Sequence, residues 1–275
     1  MRAVGVLMRW DARAVVRDRW FASVAVAFGA LAAAAALMAL AGVGIQGVSS
    51  FDRAAATLIS LAMLFVPLLG LTVGCGWIPG LRESGALEMV LSQPVGRGDV
   101  FAGAYLGVAW GLVAATLVGF GGAGVILALR AGPGGVGAYL WLVGLSALLA
   151  LTTLSVGFAL SARAPTRSRA LGQSLVAWLA LVILSDLGVL TTVVILRLPP
   201  AVVFALAAAN PVSAFRIAAI VAVTGSADLT GPLGQYAAGE VGTAGVVVLL
   251  VAVLAAWAIG GYAVGRRRFG GMVEP

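Results

Sequence analysis

Apolar residues run through this chain in long blocks, and the polar stretches between them are short. Crossing the ~30 Å hydrocarbon layer of a bilayer takes about 20 apolar residues at about 1.5 Å each. Six blocks reach that length: Phe21 to Ala41, Ala54 to Trp77, Val100 to Leu129, Ala138 to Leu160, Ala170 to Leu196 and Gly242 to Gly265. The pattern predicts an all-α polytopic membrane protein, one transmembrane domain over residues 1–275 with six spans. Pro67 in the middle of span two predicts a kink there, with neighbouring helices absorbing the freed carbonyl.

Three segments break the pattern. Residues 1–20 carry Arg2, Arg9, Arg13 and Arg17 on one helical face and Val4, Leu7, Met8 and Val15 on the other, with Asp11 and Asp18 intruding. They read as an interfacial helix leading into span one. A cleaved signal peptide is the competing reading, but its apolar core would be shorter than Phe21 to Ala41 and its leader less mixed in charge. Residues 197–241 hold two apolar runs, Ala201 to Ala209 and Val212 to Val223, separated by Asn210-Pro211. Runs of about 10 to 14 residues are too short to cross, so short re-entrant or interfacial helices are predicted between spans five and six.

Residues 79–99 are the one sizeable polar stretch in the middle of the chain. Leu81 to Leu91 can make about three helical turns, with Leu87, Val90 and Leu91 recurring at three- and four-residue spacing among Arg82, Glu83 and Glu88. Pro94 stops this helix near Ser92, the chain turns between Val95 and Gly98, and Asp99 is placed to cap span three. An apolar face tethered outside the membrane has to be covered. The headgroup region, the protein's own loops and a soluble partner are the three candidates.

Composition narrows the chemistry. The chain is 62% hydrophobic and 10% charged, against about 25% charged in soluble domains. One Cys and no His leave no disulfide framework and no zinc or copper cluster. All 17 cations are Arg, so the phosphate-binding loop ending in Lys that an ATPase needs is absent. Thirteen of the 17 fall on the side of the amino terminus, and Arg53, Arg130, Arg197 and Arg216 fall on the other. The positive-inside rule then predicts both termini in the cytoplasm, and the net charge of +7 reflects topology rather than nucleic-acid binding.

Small residues recur on single helical faces: Gly70 and Gly74, then Gly103, Gly107 and Gly111, then Gly261 and Gly265. They predict close helix contacts within the bundle, with a dimer seam or substrate path as the rarer use. Cys75 reads as a small packing residue, and Tyr105, Trp110, Tyr139, Trp141, Trp178 and Trp257 read as belt or packing aromatics. Asp186, about 24 Å up span five, needs a partner or water. Arg216 on the second short helix is the expected intramembrane partner, a protonated or water-facing Asp186 being the alternative.

The run GALEMVLSQPVGR, between spans two and three of a six-span chain, resembles the connection in type 2 ABC exporter permeases. Their usual form is a Glu, then Gly-Thr-Leu-Glu, two or three Leu, and Pro-Val-x-Arg. Ala86 stands where that family has Thr, and Trp77 to Gly80 replaces the acidic residues that usually precede the motif. Pro67, Ser185-Asp186-Leu187 and Asn210-Pro211 followed by Phe215-Arg216 are most similar to the permeases of nitrous-oxide-reductase maturation transporters. The resemblance covers nearly the full length.

It implies a non-catalytic permease of the cell inner membrane, paired with a second copy of itself and driven by a separate cytoplasmic ATPase that binds ATP and magnesium. A groove on that ATPase would receive Leu81, Arg82, Glu83, Leu87, Glu88, Val90, Leu91 and Arg97. A periplasmic partner would sit on the outer face, where Asn210, Pro211 and Phe215 mark the outer segment, and the complex would serve copper-centre assembly in nitrous oxide reductase. Copper pathways need clustered Met, Cys or His, and Met8, Met38, Met63, Met89, Met272 and Cys75 are scattered. Mechanical work on the outer partner, or export of a sulfur-containing or other small species, is the better expectation. A generic exporter of lipids or drugs, and a non-transport anchor or assembly factor, are the rival readings.

Overall fold

The computed structural model describes residues 19–40, 50–131, 136–184, 187, 198–226 and 232–271. Among them the regular elements are helices: α1 (Arg19–Leu40), α2 (Ser50–Glu83), α3 (Ala86–Leu91), α4 (Arg97–Ala131), α5 (Val136–Ser161), α6 (Arg167–Leu179, continued by a π-helical turn Ala180–Leu184), α7 (Pro200–Ala209), α8 (Pro211–Thr224) and α9 (Pro232–Gly270). Five of them, α2, α4, α5, α6 and α9, are long and apolar enough to cross a membrane. α1 has 22 residues, about 33 Å of helix around the apolar stretch Val26–Met38, and supplies span one. Asp186 and the expected interfacial helix before Arg19 both lie outside the described residues.

α5 is the pillar of the bundle, with α2, α4, α8 and α9 all packed on it. Its sequence explains how so many helices approach it. Ser146, Thr152, Thr153 and Ser155 are buried, and each hydroxyl donates to the carbonyl four residues back at 2.8 to 2.9 Å. Small polar residues satisfied this way let a neighbouring backbone come close, then bond across the contact. Thr152 Oγ1 also lies 3.0 Å from Leu254 O of α9, and Tyr105 Oη of α4 lies 2.8 Å from Ser155 Oγ.

The glycine faces Gly70/Gly74 and Gly261/Gly265 lie at these contacts. A Cβ on Gly74 would fall 2.7 Å from Leu154 O, and one on Gly261 would fall 2.8 Å from Ser155 C, so α2 and α9 touch α5 backbone to backbone. Gly157 on α5, which no sequence pattern marked, faces Gly74 at the same crossing. Cys75 is buried beside Ala164 and Ala170. Three of the aromatics tie helices together as well as filling space: Tyr139 Oη donates to Phe120 O, Trp178 Nε1 to Leu64 O (3.0 Å) and Trp257 Nε1 to Ala209 O (2.9 Å).

α2 remains one helix through Pro67 and Pro79. The Ile78 N–H beside Pro79 is held by Ser161 Oγ of α5 at 3.0 Å, a partner outside the helix's own ladder. α9 is interrupted at Gly242, whose φ of 74° and ψ of 162° are not helical. Span six therefore begins there, as its sequence predicts, and residues 232–241 form an additional short helix.

α7 and α8 meet at a bend of 109°. Their 10 and 14 residues give about 15 and 21 Å of helix, and at that bend their far ends lie roughly 21 Å apart. The two helices are separate and sharply bent at Asn210-Pro211, where the sequence predicts a break between two short apolar runs.

Candidate functional site

The connection between α2 and α4 is two elements rather than the single helix Leu81 to Leu91. α2 runs on to Glu83 and ends because Gly85 sits at φ 69°, ψ 0°, the left-handed region that glycine reaches without a Cβ penalty. The Ser84 N–H donates to Gly80 O (3.2 Å) and the Gly85 N–H to Arg82 O (3.1 Å), closing the last turn. Leu81, Arg82 and Glu83 thus belong to the foot of span two. Leu87, Glu88, Val90 and Leu91 belong to the six-residue α3.

Pro94 ends α3 where expected, with the Ser92 N–H donating to Glu88 O at 2.9 Å. The cap of α4 differs from expectation. Gly96 O accepts from the Asp99 and Val100 N–H groups (2.9 and 3.1 Å), so Gly96 begins the helix. Asp99 lies in its first turn, where a carboxylate is favoured by the helix dipole. Arg97 is the first residue of α4 and half-buried.

The apolar side of α3 is divided. Leu87 and Val90 are half-buried against the protein's own core, as is Val95, so the chain itself covers them. The outward side carries Glu88, Met89, Ser92, Gln93 and Pro94, all exposed, with Met89 72% accessible. Arg82 is exposed and Leu91 half-exposed.

Glu83 has a specific partner. Its Oε1 accepts the backbone N–H of Arg167, the first residue of α6, at 2.8 Å. Thr166 caps the same helix, its Oγ1 accepting from the Arg169 N–H at 3.3 Å. A helix start leaves amide groups unpaired and partly positive, and a carboxylate there satisfies both needs. The foot of α2 is thereby joined to the start of α6.

The other end of described α6 is joined to the bend between α7 and α8. The π-helical turn Ala180–Leu184 breaks the regular carbonyl ladder, and Leu181 O accepts from Asn210 Nδ2 at 2.9 Å. Asn210 Oδ1 meanwhile accepts from the Val212 and Ser213 N–H groups (2.7 and 3.3 Å), capping α8, with Pro211 at the first helical position where no N–H is missed. Pro211, Ser213 and Phe215 are buried.

Trp257 donates to Ala209 O from α9, nine residues before Arg266 and so about 13 Å along the helix from that arginine. Asn210 and Pro211 form the bend between α7 and α8, and Phe215 lies on the buried face of α8. Arg216 follows, half-buried on α8, and its expected partner Asp186 lies outside the described residues.

The profile of the family described as ABC-2 family transporter protein matches residues 6–272. The chain belongs to that family. It is also similar to two proteins named "Probable ABC transporter permease protein NosY". The one from Pseudomonas aeruginosa is 34% identical over 223 residues, 79% of this chain and 81% of that protein. The one from Stutzerimonas stutzeri is 30% identical over 259 residues, 92% and 94% of the two. As an ABC-2 transporter protein with five to six membrane-crossing helices, the chain is a multi-pass membrane transport subunit of NosY-like type. The resemblance drawn from GALEMVLSQPVGR agrees with that membership.

Proposed function

We propose that this ABC-2 permease pairs with a second copy of itself in the cell inner membrane and is driven by a separate cytoplasmic ATPase that binds ATP and magnesium. Both termini then face the cytoplasm, since thirteen of 17 Arg lie on that side and six spans return the chain to it. The similarity to NosY permeases over 92% of the chain supports a place in nitrous-oxide-reductase maturation. There the complex acts on a periplasmic partner during copper-centre assembly, by mechanical work or by export of a small species.

The observation that carries the docking assignment is the outward side of α3. Met89 is a large apolar residue held in water by a short helix whose other side is anchored on the core. Burying such a side chain is worth about 1.5 to 3 kcal/mol, or about 10- to 100-fold in affinity. Met89→Asp should release the ATPase from the purified complex and end permease-dependent ATP hydrolysis, with the chain still folded. Leu87→Asp should instead lower the stability of the permease itself. A Met89→Asp permease that purifies with a full complement of ATPase would refute the assignment.

A further inference from the structure

A groove of about 480 Å³ runs between α5 and α9. Its walls are Val156, Ala159 and Leu160 on one side and Ala256, Trp257, Gly260, Gly261, Val264 and Arg268 on the other. Along α9 it extends from residue 256 to residue 268, about 18 Å, against about 15 Å for half the hydrocarbon layer. It is one leaflet deep. Gly260 makes its floor open, because a Cβ there would have nothing within 4 Å.

The polar end is as specific as the apolar one. Arg268 stands at the membrane-surface end, half-buried, with Nη1 donating to Ala159 O at 2.7 Å and thus fixed at the mouth. Arg266 and Arg267 are exposed beside it, and none of the groove residues is acidic. An occupant of this shape has a long apolar tail, and its head is negatively charged where tail meets water. A basic pocket between membrane helices at the interface is suited to the phosphate of an anionic lipid.

We propose that this groove binds one acyl chain of an anionic phospholipid, with its phosphate on Arg268 and its tail reaching Trp257. The ring that ends the groove is also the donor to Ala209 O, so the bound chain packs behind the residue that holds the end of α7. The assignment does not depend on the ATPase or on the transported species.

Native mass spectrometry of the full-length chain, purified in detergent and titrated with palmitoyl-oleoyl phosphatidylglycerol or the phosphatidylcholine of the same acyl chains, tests it. The wild type should retain phosphatidylglycerol roughly fivefold more tightly, as expected for ~1 kcal/mol per arginine at a lipid phosphate. Arg268→Gln should abolish that preference and Arg268→Lys should keep most of it. Gly260→Leu, and independently Ala256→Leu, should reduce retention of both lipids by filling the groove. Equal retention of the two lipids by the wild type, or an unchanged preference in Arg268→Gln, would overturn the proposal. So would efficient disulfide cross-linking of Gly260→Cys between two copies in a Cys75→Ala background, which would make the groove a seam between protomers.

Discussion

Replacing Asn210 by Ala removes three hydrogen bonds of a single side chain, two accepted by Oδ1 and one donated by Nδ2. The cap on α8 is lost, with the Val212 and Ser213 N–H groups left open at a helix start, which typically costs about 1 kcal/mol. The bond to Leu181 O is lost as well, and inter-helix hydrogen bonds in membranes average about 0.6 kcal/mol. The sum is about 1.5 kcal/mol, and at about 2 to 3 °C per kcal/mol for a chain of this size the melting temperature should fall by roughly 4 °C.

Asn210→Asp separates the two parts. The cap is kept because Oδ1 remains, but the donor facing Leu181 O becomes an acceptor, so the contact turns repulsive and a charge enters a half-buried site between apolar helices. This variant should therefore be no more stable than Asn210→Ala, although Asp caps helices in water as well as Asn does. The assay is thermal unfolding of the purified permease followed by circular dichroism, with a fluorescent label at the bend reporting local motion. An Asn210→Asp variant as stable as wild type would show that the Leu181 bond carries nothing.

Glu83→Gln removes the charge but keeps an acceptor for the Arg167 N–H, and should cost about 0.3 to 1 kcal/mol, less at high salt, whereas Glu83→Ala should cost more. A cost of Glu83→Gln relative to wild type that does not change with salt would refute a dipole contribution. Gly74→Ala drives a Cβ to 2.7 Å from Leu154 O, which is backbone and cannot rotate away. It should destabilise the bundle by about 1 to 3 kcal/mol, while Gly76→Ala, whose Cβ meets nothing within 4 Å, should be neutral. Equal melting temperatures for the two glycine variants would remove the close α2 to α5 crossing from the argument.

Spans two to six and the break at Asn210-Pro211 were legible because each rests on a local count: enough apolar residues to cross, or too few, and a residue pair that breaks a helix. The Gly70/Gly74 and Gly261/Gly265 faces were legible from their four-residue spacing. The end of α2 was not, since Leu81 to Leu91 has helical spacing throughout and only the positive φ of Gly85 decides where it breaks. Nor were the ties that organise the site. Glu83 and Arg167 lie 84 residues apart, Asn210 and Leu181 lie 29 apart, and Trp257 and Ala209 lie 48 apart. Partners at that separation are chosen by helix packing, so the sequence marks Glu83 only as a charge and Trp257 only as an aromatic. Leu87 and Val90 show the same limit. Their spacing marks an apolar face, and only the fold says that the face is already covered.

α6 is held differently from the other spans. Of its helical residues Arg167–Leu179 only Ala170 and Ser174 are buried, and it packs on one side, chiefly against α2. Hydrogen bonds add to that packing: Glu83 and Thr166 at the foot, Asn210 at the π-helical turn, and the Trp178 bond to Leu64 between them. A helix of 13 residues with its following turn is stiff along its axis, while an exposed flank offers little resistance to tilting. Glu83 sits directly before the turn that leads into α3, so a displacement of α3 that carries Glu83 acts on the foot of α6. Residues 79–99 and Asn210 are thus joined to the two described ends of the same helix, and weakening either junction by Glu83→Ala or Asn210→Ala should loosen that one element.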